Sequence, residues 1–339
     1  MEKMERRGQL IKKLRRIVSL FGIVFLLGML VFSCKEEPTS IPPSKLVVPI
    51  FNSDSAFVFI EKQLSFGPRV PGTEAQIKTR DWLVQKLKSY GAKTIVQSYE
   101  MPIYDGTVLP GHNIIAQFNP KKRNRVLLAA HWDTRIVADK DNERQDEPIM
   151  GADDGASGVA ALLEIARLIH GQSIDLGVDI MLFDLEDQGD LEGSDAQTDT
   201  YALGSRYWSE NIVPKGYKAK FGILLDMIAA EGASFGKEEY SVRYAGQYVE
   251  KIWDLAQKMG KGNLFKSYNA GAIGDDHVNI IRVGIPTVDI INRPMTGASG
   301  FGSYHHTHDD DISIINKSNL KAVGQVVTAV IYREAVGRF

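Results

Sequence analysis

Four short apolar runs in this sequence each lead into residues able to bind a metal or move a proton. LLAA at 127–130 runs into His131-Trp132-Asp133 and IMLF at 180–183 into Asp184-Leu185-Glu186-Asp187. ILL at 223–225 runs into Asp226, and VDII at 288–291 is followed by a loop holding His305 and His306. Between the first two, Gly151-Ala152-Asp153-Asp154-Gly155-Ala156-Ser157-Gly158 opens an apolar helix. An Asp after a strand ordinarily caps a helix or closes a turn, so no fragment identifies a site alone. Their joint occurrence does, because Asp and His are zinc ligands and a catalytic zinc takes three protein ligands and keeps one position open. Adjacent Glu186 and Asp187 can divide the work, one facing the metal and the other facing the substrate as a base.

The elements that position these residues follow from the pattern. Apolar runs of strand length alternate with helical patterns from about residue 51 onward, which predicts an α/β fold rather than an all-helical or all-β one. Thr73 and Gln76 form a capping box ahead of a helix over 74–90, and further helices are expected at 156–169, 203–210, 249–259 and 317–336. Residues 93–102 and 112–118 suggest an antiparallel strand pair. The runs at 125–130, 178–183, 222–225 and 287–291 are continuously apolar, as buried central strands are. In such a sheet ligands bind at the carboxyl ends of the strands, where the polar residues stand.

Composition narrows the class. The 339 residues are 44% hydrophobic with a net charge of -2, which excludes a disordered chain and gives no basic surface for nucleic acid. The balance is uneven, however: seven Lys/Arg and two acids fall within Met1 to Arg16, and the sixteen residues from Ile17 to Phe32 carry no charge. A basic stretch, an apolar stretch and a small residue before a break make a secretory signal, and sixteen apolar residues fall short of the roughly 20 that span a bilayer. Leu30-Val31-Phe32-Ser33-Cys34 resembles a bacterial lipobox, making Cys34, the single cysteine, the expected lipidation point. Lys35-Glu36-Glu37 resembles the tag some bacterial lipoproteins use for surface export. The expected organisation is a signal peptide over 1–33, a Pro-containing tether over 34–50 and one catalytic domain over 51–339, lipid-anchored in the cell envelope and facing the periplasm or the cell surface. A monomer is favoured.

HWDT, GADDGASG, FDLED, LLDM, DDH and HHTHDD stand in the order found in the zinc aminopeptidases of metallopeptidase family twenty-eight and their relatives, the animal-type glutaminyl-peptide cyclotransferases. The resemblance covers residues 50–339 and implies a three-layer α/β/α sandwich with a mixed, mainly parallel sheet, of the zinc-exopeptidase kind. It makes Asp154, Asp187 and His306 the zinc ligands and Glu186 the general acid/base. Asp275, ahead of Asp276-His277, matches the extra acid of the cyclotransferases, and Asp226 their other acid, so the cyclase is favoured over the aminopeptidase. Three departures stand out: Asp187 is shorter than the Glu common in cyclases, His305 replaces a Trp, and Asp289 replaces a His.

As a cyclase the protein would act on peptides with N-terminal Gln, using one zinc, with Asp226 and Asp275 holding the leaving nitrogen. As an aminopeptidase it would bind two zincs, with Asp154 bridging and His131 and Asp226 on the second metal. A non-catalytic binding module on the same fold is the third reading. Trp208, Trp132, Tyr304 and Phe301 lie near the motifs and are candidates for an apolar substrate pocket. His277 is expected to make a structural hydrogen bond near Asp275, and His308 to support the site or lie at the surface. The acidic insert from Gln188 to Thr200 reads as a solvated loop.

Overall fold

The computed structural model describes residues 8–9, 12–13, 46–190, 200–296 and 300–339. The signal peptide apart from residues 8–9 and 12–13, the lipobox with Cys34 and most of the acidic insert lie outside the described residues. Residues 46–339 form one compact unit. Leu46 and Val48, at the end of the expected tether, already pack against its core. Among the described residues no helix is long and apolar enough to cross a membrane.

The elements in chain order are α1 Ser53–Leu64, α2 Glu74–Ser89, β1 Lys93–Pro102, β2 Val108–Phe118, β3 Arg125–His131, α3 Ala156–Gly171, β4 Gly177–Phe183, α4 Leu203–Glu210 and β5 Gly222–Asp226. They continue with β6 Phe235–Glu238, α5 Glu239–Lys258, β7 Phe265–Gly271, α6 Asp276–Arg282, β8 Thr287–Ile291 and α7 Lys317–Glu334. Six strands form one sheet in the order β1-β2-β4-β3-β5-β8, and β6 and β7 form a separate pair. β1, β2 and β4 pair antiparallel, while β4, β3, β5 and β8 run parallel. The sheet is therefore mixed and mainly parallel, as expected.

The layers follow from side-chain alternation. Along β3, Val126, Leu128 and Ala130 face the larger core, shared with α1, α3, α5 and α7. Leu127 and Ala129 face the opposite side, where they meet Trp208 of α4 and Ile280 of α6. Every residue of β3, β4, β5 and β8 is buried, which explains their mostly apolar character; the polar exceptions within them, among them Arg125, Asp179 and Asp289, are buried as well. Gly158 lets α3 lie close to the sheet: a Cβ there would meet the carbonyl oxygen of Leu225 at 2.4 Å.

Local expectations needed amendment in places. Thr73 caps α2 through the amide of Gln76, but the Gln76 side chain returns to the amide of Gly72 at 2.8 Å rather than to that of Thr73. The amide group of Gln76 donates instead to Asp184 Oδ2 at 2.7 Å. The helix expected over 249–259 begins ten residues earlier, at Glu239, because Glu238 caps it by accepting from the amides of Tyr240 and Ser241. α1 was not anticipated, although Asn52 caps it and Ala56, Phe59, Ile60 and Gln63 make its buried stripe. The Asp-Asp-His motif proves to be a helix start: Asp275 is the N-cap of α6.

Candidate metal centre and its pocket

The register brings the motif residues together. His131, the last residue of β3, pairs with Phe183 of β4, so the segment after each strand emerges side by side. Asp226 ends β5, the next strand across. Three residues here have left-handed backbones without being glycine: Leu185 at φ 57°, Met227 at 49° and His306 at 59°. Such conformations cost about 1–3 kcal/mol each and persist where surrounding contacts dictate them, commonly at functional sites.

His131 Nε2 lies 3.0 Å from Asp154 Oδ1 and 3.2 Å from Asp226 Oδ1. His306 Nε2 lies 3.0 Å from Asp187 Oδ1 and 4.0 Å from Asp154 Oδ2. Asp154 stands between the two histidines, and all five residues are buried. Gly155 makes this possible, because a Cβ there would sit 2.5 Å from both Nε2 and the carbonyl oxygen of His131.

Supporting carboxylates aim the ligands. Asp133 accepts from the amides of Glu186 at 3.1 Å and Asp187 at 3.2 Å, fixing the turn that separates their side chains. Asp310 accepts from the amides of Asp153 at 2.8 Å and Asp154 at 3.2 Å. Asp153 in turn accepts from the amide of Ala229 at 2.7 Å and from the Tyr304 hydroxyl at 2.6 Å. Arg135 reaches the carbonyl of Asp187 at 3.1 Å and pairs with Asp139, which faces His306 Nδ1 at 3.3 Å.

Electrostatics divides these groups. Burial pushes the Glu186 carboxyl well above the usual range, opposed by His131 and reinforced by Asp275 and Asp187. Burial likewise pushes Asp226 up to about 8, against the pull of His131. Burial acts on Asp154 in the same direction, but the hydrogen bond and charge of His131, with His305 and His306, outweigh it and hold the group low. His306 is raised because Asp187 and Asp139 outweigh its burial, whereas burial, with His306 and Lys140 nearby, lowers His305.

The arrangement fits a divalent metal. Ligand atoms of His131, Asp154 and Asp226 lie within 4.8 Å of one another, as do those of Asp154, His305 and His306. Asp187 Oδ2 is buried without a hydrogen-bond partner, a condition that ordinarily costs about 1–3 kcal/mol and that a cation would relieve. The donor set of imidazoles and carboxylates suits zinc.

A pocket of about 440 Å3, its open mouth included, reaches these residues. Asp154, Asp187, Glu186, Asp226, Asp275, His305 and His306 line it together with Tyr201, Met227, Ile273, Ile291 and Phe301. Of the four aromatic candidates only Phe301 lines it. Trp208 and Trp132 are corrected to core residues with no exposure: Trp208 donates to the Val213 carbonyl at 3.0 Å and Trp132 to that of His112 at 3.3 Å. Tyr304 is corrected too, since its hydroxyl is committed to Asp153 beneath the site. His277 pairs with Glu238 at 3.0 Å and faces Asp289 at 3.7 Å, and His308 pairs with Asp141 at 2.7 Å near the surface. Sequence reasoning missed Tyr201, Arg135, Asp139 and the supporting acids Asp133, Asp153 and Asp310, although the last three lie inside the motifs.

A family model described as peptidase family M28 matches residues 113–331. The chain is 47% identical to a crystal structure of Tannerella forsythia glutaminyl cyclase, with 84% of this chain and 99% of that one covered and a TM-score of 0.81. It is 44% identical to the Bacteroides thetaiotaomicron glutaminyl cyclase bound to N-acetylhistamine, with the same coverage and TM-score. It is also 44% identical to a Zn-dependent exopeptidase from Parabacteroides distasonis, again over 84% and 99% of the two chains, at a TM-score of 0.82.

Proposed function

The chain belongs to peptidase family M28, and from that premise we propose that it is a zinc-dependent glutaminyl-peptide cyclotransferase, converting the N-terminal Gln of peptides to pyroglutamate with release of ammonia. The observation that carries this reading is the convergence of Glu186, Asp226 and Asp275 on one small pocket, in a chain 47% identical to a glutaminyl cyclase.

Asp154, Asp187 and His306 would hold one zinc, which when bound supplies Lewis acidity to the side-chain carbonyl and to the negative charge that develops there. The peptide's own α-amine is the nucleophile, so the pocket's task is to fold the substrate into a five-membered ring. Glu186, whose carboxyl burial holds well above the usual carboxylate range, takes a proton from the attacking amine and returns it to the departing nitrogen. The new C–N bond closes the ring as the old one breaks to free ammonia. Asp275 keeps a buried Oδ2 without a hydrogen-bond partner, and with Asp226 it supplies acceptors for that nitrogen.

A second reading is favoured by one observation. His131, Asp154 and Asp226 form an intact second ligand group, as a two-zinc aminopeptidase with water as nucleophile would require. Incubation with a Gln-initiated peptide and, separately, an aminoacyl chromogenic amide, with zinc counted per chain, separates the two. Ammonia without amine release at one zinc supports the cyclase, and amine release at two zincs overturns it. Glu186→Gln is expected to lower either activity by about 10²–10⁴-fold with zinc retained.

The cellular setting is part of the proposal. The basic and apolar leader and the lipobox support export and lipid anchoring through Cys34. Labelling with a radioactive fatty acid is expected to mark the wild-type chain and not Cys34→Ala. Equal labelling refutes the anchor.

A further inference from the structure

His305 and His306 stand side by side in the site and face their surroundings in opposite ways. His306 turns Nε2 toward Asp187 at 3.0 Å and Nδ1 toward the Asp139 carboxylate at 3.3 Å. This is the posture of a metal-binding imidazole, whose second nitrogen keeps its proton directed at a carboxylate. His305 is stacked on it, with centroids 3.8 Å apart, and lines the same pocket. Its Nδ1, however, lies 2.9 Å from Lys140 Nζ. An ammonium has hydrogens to donate and no lone pair, so Nδ1 must accept, and in a neutral imidazole the proton then resides on Nε2. A ring nitrogen that carries a hydrogen has no lone pair in the ring plane to give a metal.

We propose that His305, fixed by Lys140 as the Nε2–H tautomer, is a substrate-positioning residue that donates a hydrogen bond to an amide carbonyl oxygen of the peptide's first residue. The nearest carboxylate oxygen, Asp154 Oδ2, is 3.9 Å from Nε2, beyond hydrogen-bond length, which leaves this donor to the pocket. Among the polar groups of an N-terminal Gln the carbonyl oxygens are the acceptors left to a side-chain donor, since the amide nitrogen donates and the lone pair of the α-amine is directed at the side-chain carbonyl it attacks. Phe301 packs against the same ring with centroids 4.4 Å apart, so two rings hold the imidazole in place. One short segment governs both histidines, because Asp139 serves His306 and the next residue, Lys140, serves His305. The backbone amide of Lys140 also donates to the His306 carbonyl at 3.3 Å. The identity of the substrate rests on the cyclase reading, whereas the tautomer does not.

Long-range 15N–1H correlation on the labelled, zinc-loaded protein tests the tautomer without substrate, the His305 signals being identified by their loss in His305→Gln. The proton is expected on Nε2, with the two tautomers mixing in Lys140→Met. A proton on Nδ1 in the wild type overturns the proposal. In steady-state assays with a Gln-initiated peptide, His305→Phe is expected to lower kcat/KM by about 10–100-fold, and His305→Gln, which restores an N–H near the same point, to recover most of that loss. Zinc per chain should stay unchanged in both. Zinc loss in His305→Phe would make His305 a ligand. A Phe variant as active as wild type, or a Gln variant no better than Phe, would remove the hydrogen bond from the account. If the wild type releases no ammonia, the cyclase reading falls while the tautomer measurement still decides the Lys140–His305 arrangement.

Discussion

Gly155→Ala puts one methyl group where the site has no room for it. The added carbon would lie 2.5 Å from His131 Nε2, 2.5 Å from the His131 carbonyl oxygen and 2.6 Å from Cδ2. Non-bonded atoms prefer about 3.5–4.0 Å, so a separation near 1 Å wider is required. The His131 carbonyl belongs to a central strand paired on both sides of the sheet's middle and cannot retreat. The loop over 151–155 must move instead, carrying Asp154 away from His131 and His306. Overpacking of a dense interior costs about 1–3 kcal/mol, which for a domain of this size lowers Tm by about 2–10 °C. A ligand displaced by about 1 Å costs on the order of 10²-fold in rate. Calorimetry, zinc content and ammonia release read the three effects. Gly246→Ala in α5 is the control, since nothing lies within 4 Å of its added carbon, and replacing a helical glycine there should be neutral or stabilising by up to about 1 kcal/mol. A Gly155→Ala protein with unchanged Tm, zinc and activity would refute the close approach.

Tyr304→Phe should lower Tm by about 2–10 °C, because it leaves a buried carboxylate oxygen of Asp153 unpaired at a cost of about 1–3 kcal/mol, while kcat/KM for short peptides stays within a few-fold, since Tyr304 does not line the pocket. Chelation should abolish turnover and lower Tm by about 5–10 °C relative to protein held in zinc at 100 times its Kd, a linkage of about 2.7 kcal/mol; a Tm unmoved by chelator refutes a zinc-binding native state. Burial raises Asp153 to about 6 from the ordinary aspartate value of 3.8. A folded pKa above the unfolded one means this group favours folding while protonated, and that contribution is lost as pH rises from about 4 to about 6. Metal-free wild type should therefore lose up to about 3 kcal/mol relative to Asp153→Asn across that window, and a pH-independent difference in denaturation midpoint would exclude the shift.

The sheet was legible because its four parallel strands are buried on both faces and so read as largely apolar runs, broken within by Asp179 and Asp289 and each stopping where the chain reaches the site. Spacing was enough to bring Asp154, Glu186, Asp187, Asp226, Asp275 and His306 to one pocket. It said nothing of where a neighbour points. At a strand end successive side chains take opposite sides, so with His131 turned into the site Trp132 goes to the core, and nearness in sequence to a motif was a poor guide to the pocket wall. Asp133, Asp153 and Asp310 were passed over because an acid that accepts backbone amides looks, as letters, like any turn or cap. Tyr201, Arg135 and Lys140 carry no periodic signal, and their roles come from tertiary approach alone. α1 was missed as the stripe at Ala56, Phe59 and Ile60 follows the proline-containing segment that read as tether.

The Asp310 carboxylate that receives the amides of Asp153 and Asp154 belongs to the last loop before the closing helix. A growing chain therefore makes strands β3, β4 and β5 long before it makes the group that fixes the GADD turn. At about 5–20 residues per second the interval between Asp154 and Asp310 lasts on the order of ten seconds or more. Through that time the amides of Asp153 and Asp154 lack the carboxylate that holds them. Completion of the centre is thus a late event in the life of each molecule, and chains stopped short of residue 310 should accumulate without a formed site whatever the supply of metal.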